Sequence, residues 1–108
     1  AGLRRFGSAR VPMDEALAQV TVDLSNRPYL VLLVNWTSAS SRVDPQLVKE
    51  FWRAVAQHGG MTLHIEVPYG ENTHHLIEAI FKAAGRALDE ATTPDPRRQG
   101  IPSTKGLL

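Results

Sequence analysis

The chain has 108 residues, enough for one domain or part of one and too few for two independent cores. Its 12 lysine and arginine residues nearly balance 11 aspartate and glutamate residues, giving a formal net charge of +1. This balance argues against the basic stripe of a duplex-binding protein and against an acidic disordered tail, so we expect no nucleic-acid partner.

Cysteine is absent, which limits the kinds of site that the chain can build. Any bound metal must use nitrogen and oxygen ligands, and no disulfide is available. The longest apolar run, Tyr29–Val34, is far shorter than the roughly 20 residues that cross a bilayer, and the start AGLRRFG lacks an apolar signal core. We predict a cytoplasmic protein with no membrane partner. The start at Ala1, without an initiator methionine, leads us to expect a missing upstream segment.

The first third of the chain predicts three strands. Arg5 to Pro12 predicts a short strand, and Leu17 to Leu24 alternates apolar and polar residues as a half-buried strand does. After the turn SNRP, in which Asn26 tolerates a left-handed backbone, the run YLVLLV is apolar without alternation. Such a run is typical of a strand covered on both faces, so we expect a second covering layer from outside.

A helix and a fourth strand follow the loop TSASSR. Asp44 as N-cap and Pro45 at the first helical position predict a helix that runs to about His58 and stops at Gly59-Gly60. Its apolar stripe consists of Leu47, Val48, Phe51, Trp52 and Val55. The alternation from Met61 to Val67 then predicts a strand that ends at Pro68.

A second helix completes the pattern. It is predicted to begin at Asn72 or Thr73 and to run to about Ala91, with the apolar stripe Ile77, Ile80, Phe81, Ala84 and Leu88. The order βββαβα predicts an α+β two-layer sandwich, in which a four-stranded, mostly antiparallel sheet carries two helices on one face. Residues 1–91 would form this unit, and residues 92–108, rich in proline and glycine, an irregular tail.

The sharpest chemical signal is GENTHHLIEAIFK at the start of the second helix. Residues three and four apart share a helix face, so Glu78 can lie near both His74 and His75, and Lys82 follows one turn later. The two histidines diverge by about 100° around the axis, so they would serve different ions, or one ion and a substrate. Imidazole and carboxylate together suit manganese, iron or zinc. The alternative is a polar first turn of a surface helix.

A second set of residues has the chemistry to hold a phosphate. Guanidinium, hydroxyl and ammonium groups grip phosphate oxygens, and the chain offers them at Arg5, Arg27, Ser103 and Lys105. Lys105 lies in PSTKG, which resembles a closing flap. The alternative is that all of these residues are solvated surface.

Several segments, in this order and at matching separations, resemble the C-terminal half of imidazoleglycerol-phosphate dehydratase: RRFGSARVPMDEAL, VDLSNRPYL, MTLHIEV, GENTHHLIEAIFKAAGRAL and IPSTKGLL. The resemblance covers essentially the whole chain. It implies half of a duplicated fold, similar to domain 2 of ribosomal protein S5, which packs face to face with its twin. It also implies a large cage-like homo-oligomer.

The resemblance also implies roles for individual residues. His74, His75 and Glu78 would ligate manganese, with two ions per site shared between subunits, and Glu78 and Lys82 would stand at the catalytic centre, Lys82 lining the substrate pocket. Glu50 occupies a position where many members have a further ligating histidine, and is a candidate ligand. The substrate phosphate would be held by Arg5, Arg27, Ser103 and Lys105.

The reaction implied by the family removes water from imidazole glycerol phosphate and gives imidazole acetol phosphate, a step of histidine biosynthesis. Because the N-terminal half of the family pattern matches nothing here, we expect a fragment that is inactive without that half, with the general base outside this chain. Two alternatives stay open. One is a non-catalytic half-domain that only assembles or binds metal, and the other is a free-standing, metal-dependent, phosphate-binding enzyme of other specificity.

Overall fold

The computed structural model describes residues 2–36 and 43–96. It contains six elements in the predicted order: β1 (Phe6–Met13), β2 (Ala16–Asp23), β3 (Tyr29–Val34), α1 (Pro45–Gly59), β4 (Thr62–Tyr69) and α2 (Thr73–Ala91). The predicted order βββαβα is therefore confirmed. Several boundaries differ by one or two residues: β1 continues past Pro12 to Met13, and β4 continues through Pro68 to Tyr69. Most of the predicted tail lies outside the described residues.

The four strands form one sheet in the order β1-β2-β4-β3. β1 pairs with β2, and β2 with β4, in antiparallel fashion, whereas β3 pairs with β4 in parallel through the crossover that contains α1. Both helices pack on one face of the sheet, α2 against β1 and β2 and α1 beside β3. The predicted α+β sandwich with a mostly antiparallel sheet is confirmed.

Local capping explains where the helices begin and end. The side chain of Asp44 accepts a hydrogen bond from Gln46 N, and the side chain of Asn72 accepts one from His75 N, so each helix start has a side-chain acceptor for its free N–H groups. α1 ends where Gly60 takes a left-handed backbone with φ of 61°. Among the helices that the structure describes, none combines the length and apolar character needed to cross a bilayer.

The second cover predicted for β3 is not supplied by the described residues, and its source outside the chain stays a prediction. Within residues 2–36 and 43–96, β3 is an edge strand with β4 as its single neighbour, and Tyr29 and Leu33 are 65% and 58% exposed. Leu30, Leu32 and Val34 pack partly against the core, while the opposite face of the strand is open within the described part of the chain. An apolar run can thus mark an edge strand, and its second cover would have to come from another polypeptide.

The predicted stripe of α1 is only partly buried. Val48, Trp52 and Ala56 enter the core, but Leu47 and Phe51 are 66% and 48% exposed. The reason is that the buried face follows every fourth residue, which places Leu47 and Phe51 toward the outside. Phe81 of α2 is also exposed and lies beside Phe51 and Trp52, with ring centroids 5.4 and 4.9 Å away. The helix layer therefore carries an exposed apolar patch formed by Leu47, Phe51 and Phe81.

Candidate functional site

The tip of the β1–β2 hairpin lies against the N-terminus of α2. Only Asp14 and Glu15 separate the two strands, and Asp14 has the positive φ of 51° that such short turns require. Because α2 begins at this end of the sheet, the two acidic side chains of the turn meet the first turn of the helix. The predicted histidine motif is therefore joined by residues some 60 positions earlier in the sequence.

Glu15 bonds with both its carboxylate oxygens. Oε2 accepts hydrogen bonds from Glu71 N at 3.0 Å and Asn72 N at 2.8 Å, and Oε1 lies 2.7 Å from His75 Nδ1. The backbone N–H of Asn72, then that of Glu71, then the His75 ring lower the pKa of Glu15 from 4.5 to about 2, because each donor stabilises the ionised form. Glu15 is thus a fixed carboxylate at neutral pH.

His75 is held between two carboxylates. Its Nδ1 faces Glu15, and its Nε2 lies 3.3 Å from Asp14 Oδ2. The hydrogen bond to Glu15 raises the pKa of His75 above 6.5, and the charges of Glu15, Asp14 and Glu78 act in the same direction against partial desolvation. The ring is mostly buried, at 27% exposure, whereas Asp14 is 72% exposed. Nδ1 is therefore held by a hydrogen bond with Glu15, whereas Nε2 faces the exposed carboxylate of Asp14.

His74 belongs to a second, more exposed group on the same helix. Its Nε2 lies 3.4 Å from Glu78 Oε2, and the other oxygen of Glu78 lies 3.9 Å from Lys82 Nζ. The spacing of one helical turn produces both contacts, as predicted from the sequence. The rings of His74 and His75 are 6.2 Å apart. His74 contacts Glu78, whereas His75 contacts Asp14 and Glu15, which agrees with the predicted divergence of the two histidines.

The donor atoms suit a divalent transition metal, but the described residues form only partial shells. The pairs His75–Asp14 and His74–Glu78 have N···O separations of 3.3 and 3.4 Å, close to the roughly 3 Å expected for neighbouring ligands with bonds of about 2.1 Å at right angles. In residues 2–36 and 43–96, no three histidine, cysteine, aspartate or glutamate side chains gather around one point. We call these two histidine–carboxylate pairs half-shells. Their donor atoms suit a divalent transition metal, and each half-shell needs further ligands to complete a metal site.

Two of the predicted phosphate residues, Arg5 and Arg27, lie at the other end of the sheet. Arg5 Nε donates to Asp23 Oδ1 at 2.8 Å, beside the start of β1. Arg27 follows β2 in an exposed turn. The turn is held in place because the carbonyl oxygen of Arg27 accepts hydrogen bonds from the hydroxyls of Ser25 and Thr62. The structure thus brings Arg5 and Arg27 to one end, while Ser103 and Lys105 lie outside the described residues.

The two ends are too far apart to meet on one small molecule. The β1–β2 ladder runs from the pair Phe6–Asp23 to the pair Met13–Ala16, seven residue steps or about 24 Å. Arg5 stands beside the first pair, and His75 beside the turn that follows the last. A compact phosphorylated imidazole cannot reach both ends within one chain.

Glu50 lies apart from the histidines in the described contacts. It is exposed on α1, where its Oε1 accepts from an Arg53 guanidinium nitrogen at 2.6 Å and from Gln46 Nε2 at 3.4 Å. Its role as a metal ligand stays a prediction. Conversely, the sequence interpretation gave no role to Asp14 or Glu15. A two-residue acidic turn between strands was the available signal, but it does not reveal which helix the turn meets.

Comparison with known proteins relates this chain to one enzyme family. The family model for imidazoleglycerol-phosphate dehydratase matches residues 1–88. The enzymes of that name from Syntrophobacter fumaroxidans and Bacillus subtilis are 61% and 60% identical over 108 residues, which cover 99% of this chain but only 55% and 56% of the relatives. The chain thus spans about half the length of the curated relatives it matches.

Solved structures extend the similarity to the fold. The crystal structure of the dehydratase from Pyrococcus furiosus, in complex with (S)-C348, superposes with a TM-score of 0.86 at 44% identity, covering 98% of this chain and 58% of that one. The Staphylococcus aureus enzyme gives a TM-score of 0.80 at 46% identity, with coverages of 88% and 56%. The chain therefore belongs to the imidazoleglycerol-phosphate dehydratase family and corresponds to about half of the family's usual length.

Proposed function

We propose that this chain is the part of an imidazoleglycerol-phosphate dehydratase that supplies one set of metal ligands and one set of phosphate contacts. The reaction would remove water from imidazole glycerol phosphate to give imidazole acetol phosphate, in histidine biosynthesis. The observation that carries the proposal is the pair of histidine–carboxylate half-shells at the start of α2. The names of relatives near 60% identity supply the reaction.

His74, His75 and Glu78 would hold manganese, with Glu50 as a further candidate. Two diverging half-shells support two ions per site, each completed by another polypeptide. When bound, manganese would act as a Lewis acid toward the imidazole of the substrate and favour loss of its ring proton. Lys82, near Glu78, would line the pocket as a positive group.

The distance between the two ends of the sheet supports a site shared between copies. Arg5 and Arg27, with Ser103 and Lys105 from the tail, would hold the phosphate of a substrate whose imidazole meets the histidines of a different subunit. Such sharing requires a homo-oligomer, and the cage implied by the family resemblance would provide it. A cytoplasmic location remains a prediction from composition.

The uncovered apolar surfaces support docking of the remaining half of the protein. Leu47, Phe51 and Phe81 are exposed on the outer side of the helices, and Tyr29 and Leu33 on the open side of β3. Surfaces of this kind mark interaction sites in soluble proteins. We place the N-terminal half of the enzyme on the helix layer, where the aromatic rings are clustered, and neighbouring subunits on the open sheet face.

Reconstitution tests the proposal. The chain is mixed with the N-terminal half of the Bacillus subtilis relative and Mn²⁺, and formation of imidazole acetol phosphate is followed. We expect turnover by the mixture, none by the chain alone, and loss on chelation or with His75→Ala. His58→Ala, which removes an exposed imidazole from the last turn of α1, is the matched control. Robust turnover by the isolated chain would show that no half of the site is missing.

A non-catalytic half-domain is the competing function. The partial shells favour it, because the described residues alone complete no metal site. Metal titration separates the two, since an assembly module has no reason to bind Mn²⁺ more tightly than its His75→Ala variant does. An assembled, correctly folded mixture of both halves that gives no turnover would leave this alternative standing.

A further inference from the structure

The Glu15–His75 contact brings in a residue, Glu15, that is not among the metal ligands proposed above. We propose that Glu15 is a positioning residue: its carboxylate holds the neutral His75 ring as the Nδ1–H tautomer and leaves Nε2 to bind a divalent cation. The inference rests on the proposed function to the extent that His75 is a metal ligand. The tautomer itself is a property of this chain alone.

The chemistry of the two groups fixes the direction of the hydrogen bond. An ionised carboxylate only accepts, and Oε1 of Glu15 lies 2.7 Å from Nδ1, so Nδ1 must be the donor. A neutral imidazole has one N–H, and its other nitrogen then carries the lone pair that a metal needs. Nε2 is that nitrogen, and the only one of the two that faces away from Glu15.

The carboxylate is itself fixed by the backbone of the helix that carries the histidine. Its other oxygen, Oε2, accepts from the N–H groups of Glu71 and Asn72, and the Asn72 side chain accepts from His75 N. The ring and its own backbone turn are therefore tied to the same two residues. This arrangement limits rotation of the ring about its side-chain bonds, so Nε2 keeps one direction.

The free nitrogen points toward a second acidic group. Asp14 Oδ2 lies 3.3 Å from Nε2, and Asp14 is 72% exposed. A cation held by Nε2 would thus meet a carboxylate at the separation of a neighbouring ligand. Histidine ligands commonly donate their other N–H to a carboxylate, and removal of that partner costs about 10–100-fold in metal affinity.

Glu15→Gln tests the role without releasing the helix. The amide oxygen of glutamine can accept the two N–H groups of Glu71 and Asn72, which directs the amide NH₂ toward His75 Nδ1. In the reverse orientation the amide NH₂ would face the N–H groups of Glu71 and Asn72, so hydrogen-bond donors would face donors. Nδ1 must then accept, and the ring must change to the Nε2–H tautomer. We expect ¹⁵N NMR of the metal-free chain, at a pH where His75 is neutral, to report this exchange.

Metal affinity provides the second measurement. Electron paramagnetic resonance of free Mn²⁺ should show an affinity about 10–100-fold lower in Glu15→Gln than in the unaltered chain. Glu71→Gln removes a neighbouring, exposed carboxylate and controls for lost charge, so its effect should be smaller. Circular dichroism of each variant shows that α2 is kept.

The outcomes separate the inference from the function on which it rests. An Nε2–H tautomer in the unaltered chain overturns the role of Glu15, and so does Mn²⁺ binding by the unaltered chain that Glu15→Gln leaves equally tight. The expected tautomer exchange in a chain that binds no Mn²⁺ supports the control of the ring by Glu15 and overturns the proposed metal chemistry instead.

Discussion

Gly7 of β1 lies directly against the carbonyl oxygen of Ala87 in α2, so that a Cβ atom at Gly7 would overlap this oxygen. The backbone nitrogen of Ala91, one turn later, is 2.8 Å from the same position. β1 and α2 share the largest interface between a strand and a helix in the described chain, and α2 meets it with alanines. The close approach depends on the missing side chain, because the contact involves backbone atoms that cannot rotate away.

Gly7→Ala is expected to destabilise the chain by about 1–3 kcal/mol, the usual cost of adding a methyl group to a fully packed site. Urea unfolding followed by circular dichroism measures the change. Gly85→Ala is the matched control, because a Cβ at Gly85 meets nothing within 4 Å and alanine favours the helix by about 1 kcal/mol. Equal effects of the two substitutions would contradict the packing described for Gly7.

The Glu15–His75 pair should give the stability a maximum in pH. The pKa of Glu15 is lowered from 4.5 to about 2 on folding, so its contribution is complete above pH 4.5 and is lost as the pH falls toward 2. The pKa of His75 is raised above 6.5, so its contribution is complete below 6.5 and is lost as the pH rises through the folded value. The pair contributes most between these limits.

Glu15→Gln should therefore lower the urea midpoint most between pH 4.5 and 6.5, and less on either side. Asp14 and Glu78 also face His75 and stay in place in this variant. Glu66→Gln, on the open sheet face, removes one carboxylate away from the pair and controls for net charge. A difference between Glu15→Gln and the unaltered chain that is constant across pH would rule out the proposed coupling.

Asn26 adopts a left-handed backbone with φ of 59°, in the turn between β2 and β3. Its N–H donates to Gly60 O at 2.7 Å, which ties the turn to the end of α1. Asn26→Ala should cost about 1–2 kcal/mol, because alanine lacks the tolerance of asparagine for this region. Asn26→Gly should be nearly neutral. The midpoints of thermal unfolding of the two variants measure this difference. An alanine variant as stable as the glycine variant would contradict the role given to Asn26.

The sequence predicted what depends on neighbours in the chain. Asp44, Pro45 and Asn72 place the helix ends through local hydrogen bonds and fixed dihedrals, and the alternation of β2 reports its buried face. The contact of Glu78 with His74 is likewise local, since one helical turn joins them. These features need no knowledge of the rest of the fold.

What the sequence did not predict depends on contacts between distant segments. Glu15 and His75 are 60 positions apart in the sequence, and neither segment contains a pattern that predicts contact with the other. The apolar run of β3 predicted a second cover from outside the chain. Leu33 is 58% exposed among the described residues, so that cover stays a prediction. Periodicity predicts which face of an element is apolar, and it does not identify the covering partner.

The separation of the two ends of the sheet leads to a prediction about mixed assemblies. If this chain and an N-terminal half together form the proposed dehydratase, His75→Ala and Arg27→Ala should each abolish turnover of the reconstituted mixture. Suppose that each site takes its histidines from one copy and its phosphate contacts from another. Equal mixing of the two variant subunits should then restore roughly a quarter of the activity, because each of the two ends comes from an intact copy in about half of the sites. Steady-state turnover after dissociation and reassembly is the measurement. Mixing two batches of the same variant is the control and should give none. Absence of any recovery in the heterologous mixture would show that one subunit supplies both ends of its own site, against the roughly 24 Å that separate them along β1 and β2.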